Sequence, residues 1–517
     1  MATVTNRRSF FDTLLGQSNT RAVHSLKELD RPLTKIDIYH LLKRCCFAVD
    51  PVYAKSLIGK NAKSAVNELI NNAKNKTIPL PPFDVNEGFI SPENLSGEAK
   101  DKQRYDNLIA HFEQNGQLVS WWLDLMKGDK NSLSEKLTFL WHSHFTTQYE
   151  GNEPIPAQFI YRQNLLFRQQ YLSNFQTFLE KVTIDGAMLL YLNGSSNSRL
   201  APNENYAREL LELFSVGIGE GHYSEEDIRE AAKILTAWRV NYYTGEGDLY
   251  KPFLDPTLFS TESKTVFGVS FTVDYTVTQE NVYKNSIQKL MAAVLDKKAD
   301  KASQFLAQKF YKFFVYSKPQ EQPNETVKLL AGFFVSSGYN IKETIVKLLS
   351  SQHFFDESNY GIQIKSPLEN LLGFAAHFDV DTEQLYKWTV SFGQEPLNPP
   401  NVSGWKGYRS WITTKSLPTY IFVFNEILNK QGDEKIGDWA IKNIDNYEDS
   451  YMLVENITLL FLGKIPNELR LEKLHKLLLG SAPYYEWQEL AQNKSNAGIR
   501  IKVLLKEMFR MPDFYLS

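Results

Sequence analysis

Apolar positions recur at three- and four-residue steps through most of the chain, the spacing of helices that bury one face. The pattern starts at Leu33, with Ile36, Tyr39, Leu41, Leu42 and Cys45 at helical spacing. It predicts a second helix from Pro51 to about Ala73, with Pro51 in the first turn, where its missing N–H costs nothing. Residues 76–96 carry four prolines and read as a loop. Lys100 to Lys127 reads as a long helix, Leu133, Leu137, Leu140, Trp141 and His144 share one stripe of the next, and a further helix is expected from Pro156 to Val182. Between Val240 and Val273 the helical spacing fails, and alternating stretches such as Lys264-Thr265-Val266-Phe267 predict one or two short strands. Helical spacing returns from about Gln279 to His353, breaks at Pro396-Leu397-Asn398-Pro399-Pro400, and resumes from Ser416 to near Met511. The expectation is a mainly α fold: a large multi-helix body with irregular excursions over a groove and at most a few short strands. Residues 1–33 are expected to form a flexible arm and 34–517 one large helical domain, with internal boundaries near 275 and 415 if it divides at all.

Composition narrows the class. With 43% apolar and 23% charged residues among 517, the chain can bury a large core and is not a disordered segment. A formal net charge of -3 argues against a dedicated nucleic-acid binder, which carries a basic excess. The two cysteines, Cys45 and Cys46, are adjacent, which excludes both an unstrained disulfide between them and a cysteine zinc site. No stretch approaches the roughly 18 apolar residues of a membrane-spanning helix. Asn6-Arg7-Arg8-Ser9-Phe10-Phe11 is similar to a twin-arginine export motif, but the apolar run such a signal needs ends almost at once, so no complete signal peptide is read.

Four stretches carry candidate chemistry. In Trp141-His142-Ser143-His144 the His-x-His spacing suits a shared metal ion where the chain is extended; on a regular helix the two rings point roughly 200° apart. A divalent ion held by His142 and His144 therefore requires local unwinding, and the alternative is His144 as a core residue. The second stretch, Pro202 through Phe214, opens with Asn203 as a candidate N-cap and stacks Glu204, Arg208 and Glu212 at four-residue steps, flanked by Asn205 and Glu209. That face is either a solvated set of ion pairs or a carboxylate cluster whose arginine tunes acidity or binds an anion. In Gly217 through Ser224 the glycines form a turn leading to Ser224 as the next N-cap, with Asp227 completing a capping box. Last, Pro399 through Trp411 places Trp405, Arg409 and Trp411 in a Gly-rich turn that is either a ligand platform or a loop pinned by its tryptophans.

These stretches, in this order, resemble the bacterial family catalogued as domain of unknown function 1800. Tyr39 through Phe47 is similar to its N-terminal His-Leu-Leu-Arg-Arg-x-x-Phe signature and Trp141 through Phe145 to its Trp-His-x-His-Phe motif. Asp185 through Leu192, Pro202 through Phe214, Tyr223-Ser224-Glu225 and Thr236-Ala237-Trp238 resemble its central block, and Lys365-Ser366-Pro367, Gly393-Gln394 and Pro399 through Ile412 its C-terminal block. The resemblance implies a protein often exported to the periplasm or beyond, and often encoded beside a partner similar to the sulfatase and alkaline-phosphatase superfamily. It implies no particular reaction. One departure stands out: Phe259-Ser260 occupies the place where the family carries His-Asp, and His222 or Asp255 could substitute only if the fold brings them close.

Two functional readings follow. One is a metal-assisted enzyme acting on an envelope-associated or extracellular substrate, with Glu204, Arg208, Glu209 and Glu212 as catalytic residues and His142 and His144 on a divalent ion. The other is a non-catalytic helical scaffold that binds a glycan or a partner protein through Trp405, Arg409 and Trp411.

Overall fold

A computed structural model describes residues 25–150, 154–245, 247–272, 279–318, 325–480 and 482–517. Among them the chain forms 22 α-helices and two two-stranded antiparallel sheets, so the mainly α expectation holds. Helix starts follow local chemistry. Thr34 with Asp37, Ser224 with Asp227 and Ser366 with Glu369 each form a reciprocal capping box that satisfies otherwise orphaned backbone N–H groups. The irregular stretch around residue 250 contains the expected short strands. Trp238–Arg239 pairs with Phe253–Leu254, and Lys264–Val266 pairs with Val269–Phe271. Asp227 and Glu230, on the Glu225–Ile234 helix, accept the hairpin N–H groups of Phe267 and Thr265 at 2.8 and 3.2 Å, which fixes the hairpin to the helical body.

Three expectations about boundaries change. The helix expected from Pro51 to Ala73 is two, Pro51–Leu57 and Ala62–Lys74, because Gly59 takes a left-handed turn (φ 83°) and Asn61 caps the second. The helix expected from Pro156 to Val182 is also two, Ala157–Gln170 and Phe175–Thr183, with Asn174 capping the second. Of the arm expected over 1–33, residues 1–24 and the arginine pair lie outside the described residues. The rest is tethered: Leu29 N–H bonds Ser350 O at 2.9 Å, His353 N–H bonds Ser25 O at 3.1 Å, and Leu26 and Leu33 are buried. Polarity alone hides this docking, since its long-range bonds come from backbone, while the Arg31 side chain pairs locally with Asp37 at 2.6 Å. The boundary expected near 275 falls among residues outside the description. One connected cluster of buried apolar side chains runs from Leu26 to Phe514.

The C-terminal helices show how tightly parts of this body close. Asp433–Asn443 packs on Lys494–Met508 through glycines on both: a Cβ on Gly437 would overlap the Lys494 carbonyl, and one on Gly498 the Asp433 carbonyl. Gly498→Ala is expected to cost about 1–3 kcal/mol by overpacking. Gly432→Ala, which meets nothing within 4 Å, is expected to stay within about 0.5 kcal/mol. Urea unfolding of the two variants checks the contrast.

Candidate functional site

The Ser134–His144 helix sits at the middle of the candidate region and is held at both ends. At its start Glu135, 1% exposed, takes both guanidinium nitrogens of Arg168 at 2.7 and 2.8 Å and the Trp122 indole N–H at 2.9 Å. These donors hold the Glu135 carboxyl below the usual range although burial pushes it up. At its end stand the two histidines, both buried.

His142 and His144 face different parts of the molecule. The Leu397 backbone N–H donates to His142 Nε2 at 3.2 Å, so that nitrogen is bare and the neutral ring carries its proton on Nδ1. Rings of Trp122, Phe139 and Trp405 surround it. His144 Nε2 lies 3.0 Å from Phe214 O; a carbonyl only accepts, so this ring is protonated on Nε2. Its neighbours are Trp141, Phe145, Phe175, Phe214 and Phe305. The helix stays regular through His144, and the unwinding that a shared ion requires does not occur. Among the described residues no group of three His, Cys, Asp or Glu side chains is arranged to hold a metal ion.

Each ring thereby docks another motif. Phe214 belongs to the stretch Leu210–Ser215, where the helix begun at Asn205–Glu209 widens into a π turn, with Val216 N–H reaching back to Leu211 O at 3.0 Å. Carbonyls in the last turn of a helix lack intrahelical donors, and His144 supplies one. On the other side, Gly404 (φ 76°) brings its backbone so close that a Cβ would stand 3.0 Å from Ser143 O, Trp405 stacks on Phe139 at 5.6 Å, and Tyr149 N–H bonds Leu397 O at 3.4 Å. The loop therefore divides. Trp405 pins its first half to the core, while Arg409 and Ile412 are exposed and Tyr408 and Trp411 half-buried, with Arg409 over the Tyr408 ring at 5.5 Å.

The polar face of the Pro202–Phe214 stretch lies at the surface. Asn203 Oδ1 accepts the Asn205 N–H at 2.9 Å, the capping role expected of it. Arg208 bonds Glu204 at 3.2 Å, approaches Glu212 at 3.6 Å, and grips Glu225 through two nitrogens at 3.0 and 2.7 Å. Glu225 is the strongest partner and lies 17 residues away, beyond any helical-wheel argument; its only sequence signal was its place in Tyr223-Ser224-Glu225. The bonds to Glu225 raise the Arg208 pKa, and Glu209 is raised by burial and by Glu212, with Arg208 opposing.

The Phe259-Ser260 position is filled by packing. Phe259 is buried against Ala237, Lys264 sits over its ring at 5.0 Å, and Ser260 N–H bonds Thr236 Oγ1 at 3.0 Å. Neither potential substitute joins it. His222 Nδ1 donates to Gly217 O at 2.7 Å within its own turn, and Asp255 caps the Pro256–Leu258 turn at Thr257 N–H, 3.0 Å.

A mainly α-helical body in which a buried His-x-His segment joins a π-terminated central helix to a Trp-rich loop is the class of protein these features define. The chain belongs to the family described as "Protein of unknown function (DUF1800)", whose profile matches residues 40–516. No curated protein and no solved structure gives a significant match. Among the described residues no helix is long and apolar enough to cross a membrane.

The histidines give a pH signature. Burial pushes His142 down to about 3 from 6.5 and holds His144 well below its usual range. The unfolded chain takes up these protons near pH 6.5 and the folded chain does not, so their contribution is whole above pH 6.5 and is lost as pH falls toward about 3. Asp185, raised by burial from 3.8 to about 7, works in the opposite direction and gains stability over that interval as pH falls. The urea midpoint is expected to fall less between pH 7 and pH 5 in His142→Gln than in the native chain, and more in Asp185→Asn. Equal slopes in all three would contradict this assignment.

Proposed function

We propose that this protein is a non-catalytic helical scaffold that binds an anionic glycan through the loop carrying Trp405, Arg409 and Trp411. One observation carries the reading: the loop is rigid at one end and presented at the other. Gly404 and Trp405 seat it against the Ser134–His144 helix, and Tyr408, Arg409, Trp411 and Ile412 stand outside that contact. A rigid support lowers the ordering cost of binding. Aromatic faces suit the C–H faces of sugars, and residues 401–420 contain Lys406, Arg409 and Lys415 with no carboxylate, which suits acidic groups. The charged face around Arg208 is then a surface ion-pair network between two helices.

Intrinsic tryptophan fluorescence titrated with polygalacturonate, and with neutral dextran as control, tests this. Saturable binding to polygalacturonate and not dextran is expected, weakened about tenfold each by Arg409→Ala and Trp411→Ala, the loss of roughly 1.4 kcal/mol per contact. Binding indifferent to both substitutions, or no binding, rejects the reading.

A metal-assisted enzyme is the second reading, and the raised Glu209 carboxyl favours it, since a carboxylic acid held toward neutrality can act as general acid or base. Glu204, Arg208, Glu209 and Glu212 would be its catalytic group. Elemental analysis for a divalent ion, with turnover of 4-nitrophenyl sulfate, phosphate and acetate, decides it. Turnover lost in Glu209→Gln at an unchanged unfolding midpoint supports the enzyme, and absence of both metal and turnover rejects it.

A further inference from the structure

Two motifs remain outside the site described above, the Tyr39–Phe47 signature and Lys365-Ser366-Pro367, and they meet in one pocket. Lys43, on the Lys35–Cys45 helix, donates to Phe461 O at 3.0 Å. Lys365, buried just before the Pro367–Ala375 helix, donates to Phe514 O at 2.6 Å and to the same Phe461 O at 3.5 Å. Two ammonium groups sharing one carbonyl are close neighbours. Glu369, Asn370 and Ser517 complete the polar lining, and the pocket has a cavity volume of about 20 Å³, room for a small ion or one or two waters.

Charge in this region does not balance. Lys136 and Arg44 add two further buried cations, so four cations face two negative groups of the pocket lining, the Glu369 side chain and the Ser517 α-carboxylate. Glu369 is already engaged by Lys136 and by the Ser366 backbone N–H at 2.7 Å. Among the described residues no ion pair within 4.0 Å engages Lys43, Lys365 or Arg44. Arg44 gives one bond, to Asn359 O at 3.0 Å, and its Nε and Nη1 are buried without a partner, as is Ser517 Oγ. Each lysine has three donors, so Lys43 keeps at least one N–H unused beside the pocket. Grouped like charges in a buried setting are costly unless a counter-charge joins them. Burial and the neighbouring cations lower the Lys43 pKa, and burial brings Lys365 down to about 7.

We propose that this pocket binds a small inorganic anion, held by Lys43 and Lys365 with the Ser517 hydroxyl as a further donor. Bound there, the anion joins the first described helix to the C-terminal turn Pro512–Tyr515, whose Phe514 lines the same pocket. Elements far apart in sequence are thereby tied through one ion.

Isothermal titration of the full chain with sodium phosphate, sodium sulfate and sodium chloride, each in gluconate at constant ionic strength, tests it. At least one anion is expected to bind saturably with one site per chain and to raise the unfolding temperature in parallel; which one binds separates an oxyanion site from a halide site. Lys365→Gln and Lys43→Gln are each expected to weaken that binding at least tenfold. Where Lys365→Gln fails to fold, Lys43→Gln, whose side chain is only half-buried, decides. No saturable binding of any of the three anions to the native chain overturns the proposal, as does binding that survives substitution of Lys43.

Discussion

A buried imidazole must find a hydrogen-bond partner, and in this protein two of them, two residues apart on one helix, find partners in two other motifs. His144 completes the frayed end of the central helix at Phe214 O, and His142 receives the Leu397 N–H at the head of the Trp-rich loop. Leaving either ring buried and unpaired would cost about 1–3 kcal/mol, a sizeable part of a typical folding free energy. Both contacts join residues far apart in sequence, 70 and 255 positions. The assembled histidine pair thus ties the two flanking motifs to one helix, which is itself anchored at its start by Glu135 and Arg168.

This arrangement separates two kinds of charged group that look alike in sequence. Glu135 is sealed in the core and needs its arginine, because a buried carboxylate without a partner is far costlier than an exposed one. Arg208 and its carboxylates lie at the surface, where water screens each pair to about 0–1 kcal/mol. The Glu204–Glu212 face therefore adds little to stability pair by pair. Its Arg208 grip on Glu225 fixes how the central helix sits against the next one.

The helical character, the capping box formed by Ser224 and Asp227, the hairpin near Lys264 and the family were legible because each rests on local spacing or on quoted motifs. The opposite facing of His142 and His144 was also foreseeable from helix geometry, and what no local rule could supply was the identity of their partners. The breaks at Gly59 and Asn174 escaped because apolar spacing runs through a short turn when both helices feed the same core. Glu225 was hidden by a 17-residue separation, and the tethering of residues 25–33 by backbone bonds to Ser350 and His353, far along the chain. The division of the Trp405–Trp411 loop into a seated and a presented half depends on Gly404 meeting Ser143 O, a tertiary contact with no sequence signature.

The most direct test of this account is ¹⁵N chemical-shift measurement of the two histidine rings between pH 8 and pH 5. The account predicts neutral rings throughout, with opposite tautomers: His142 protonated on Nδ1 and His144 on Nε2. Rings that share one tautomer, or that titrate together near pH 6.5, would contradict it.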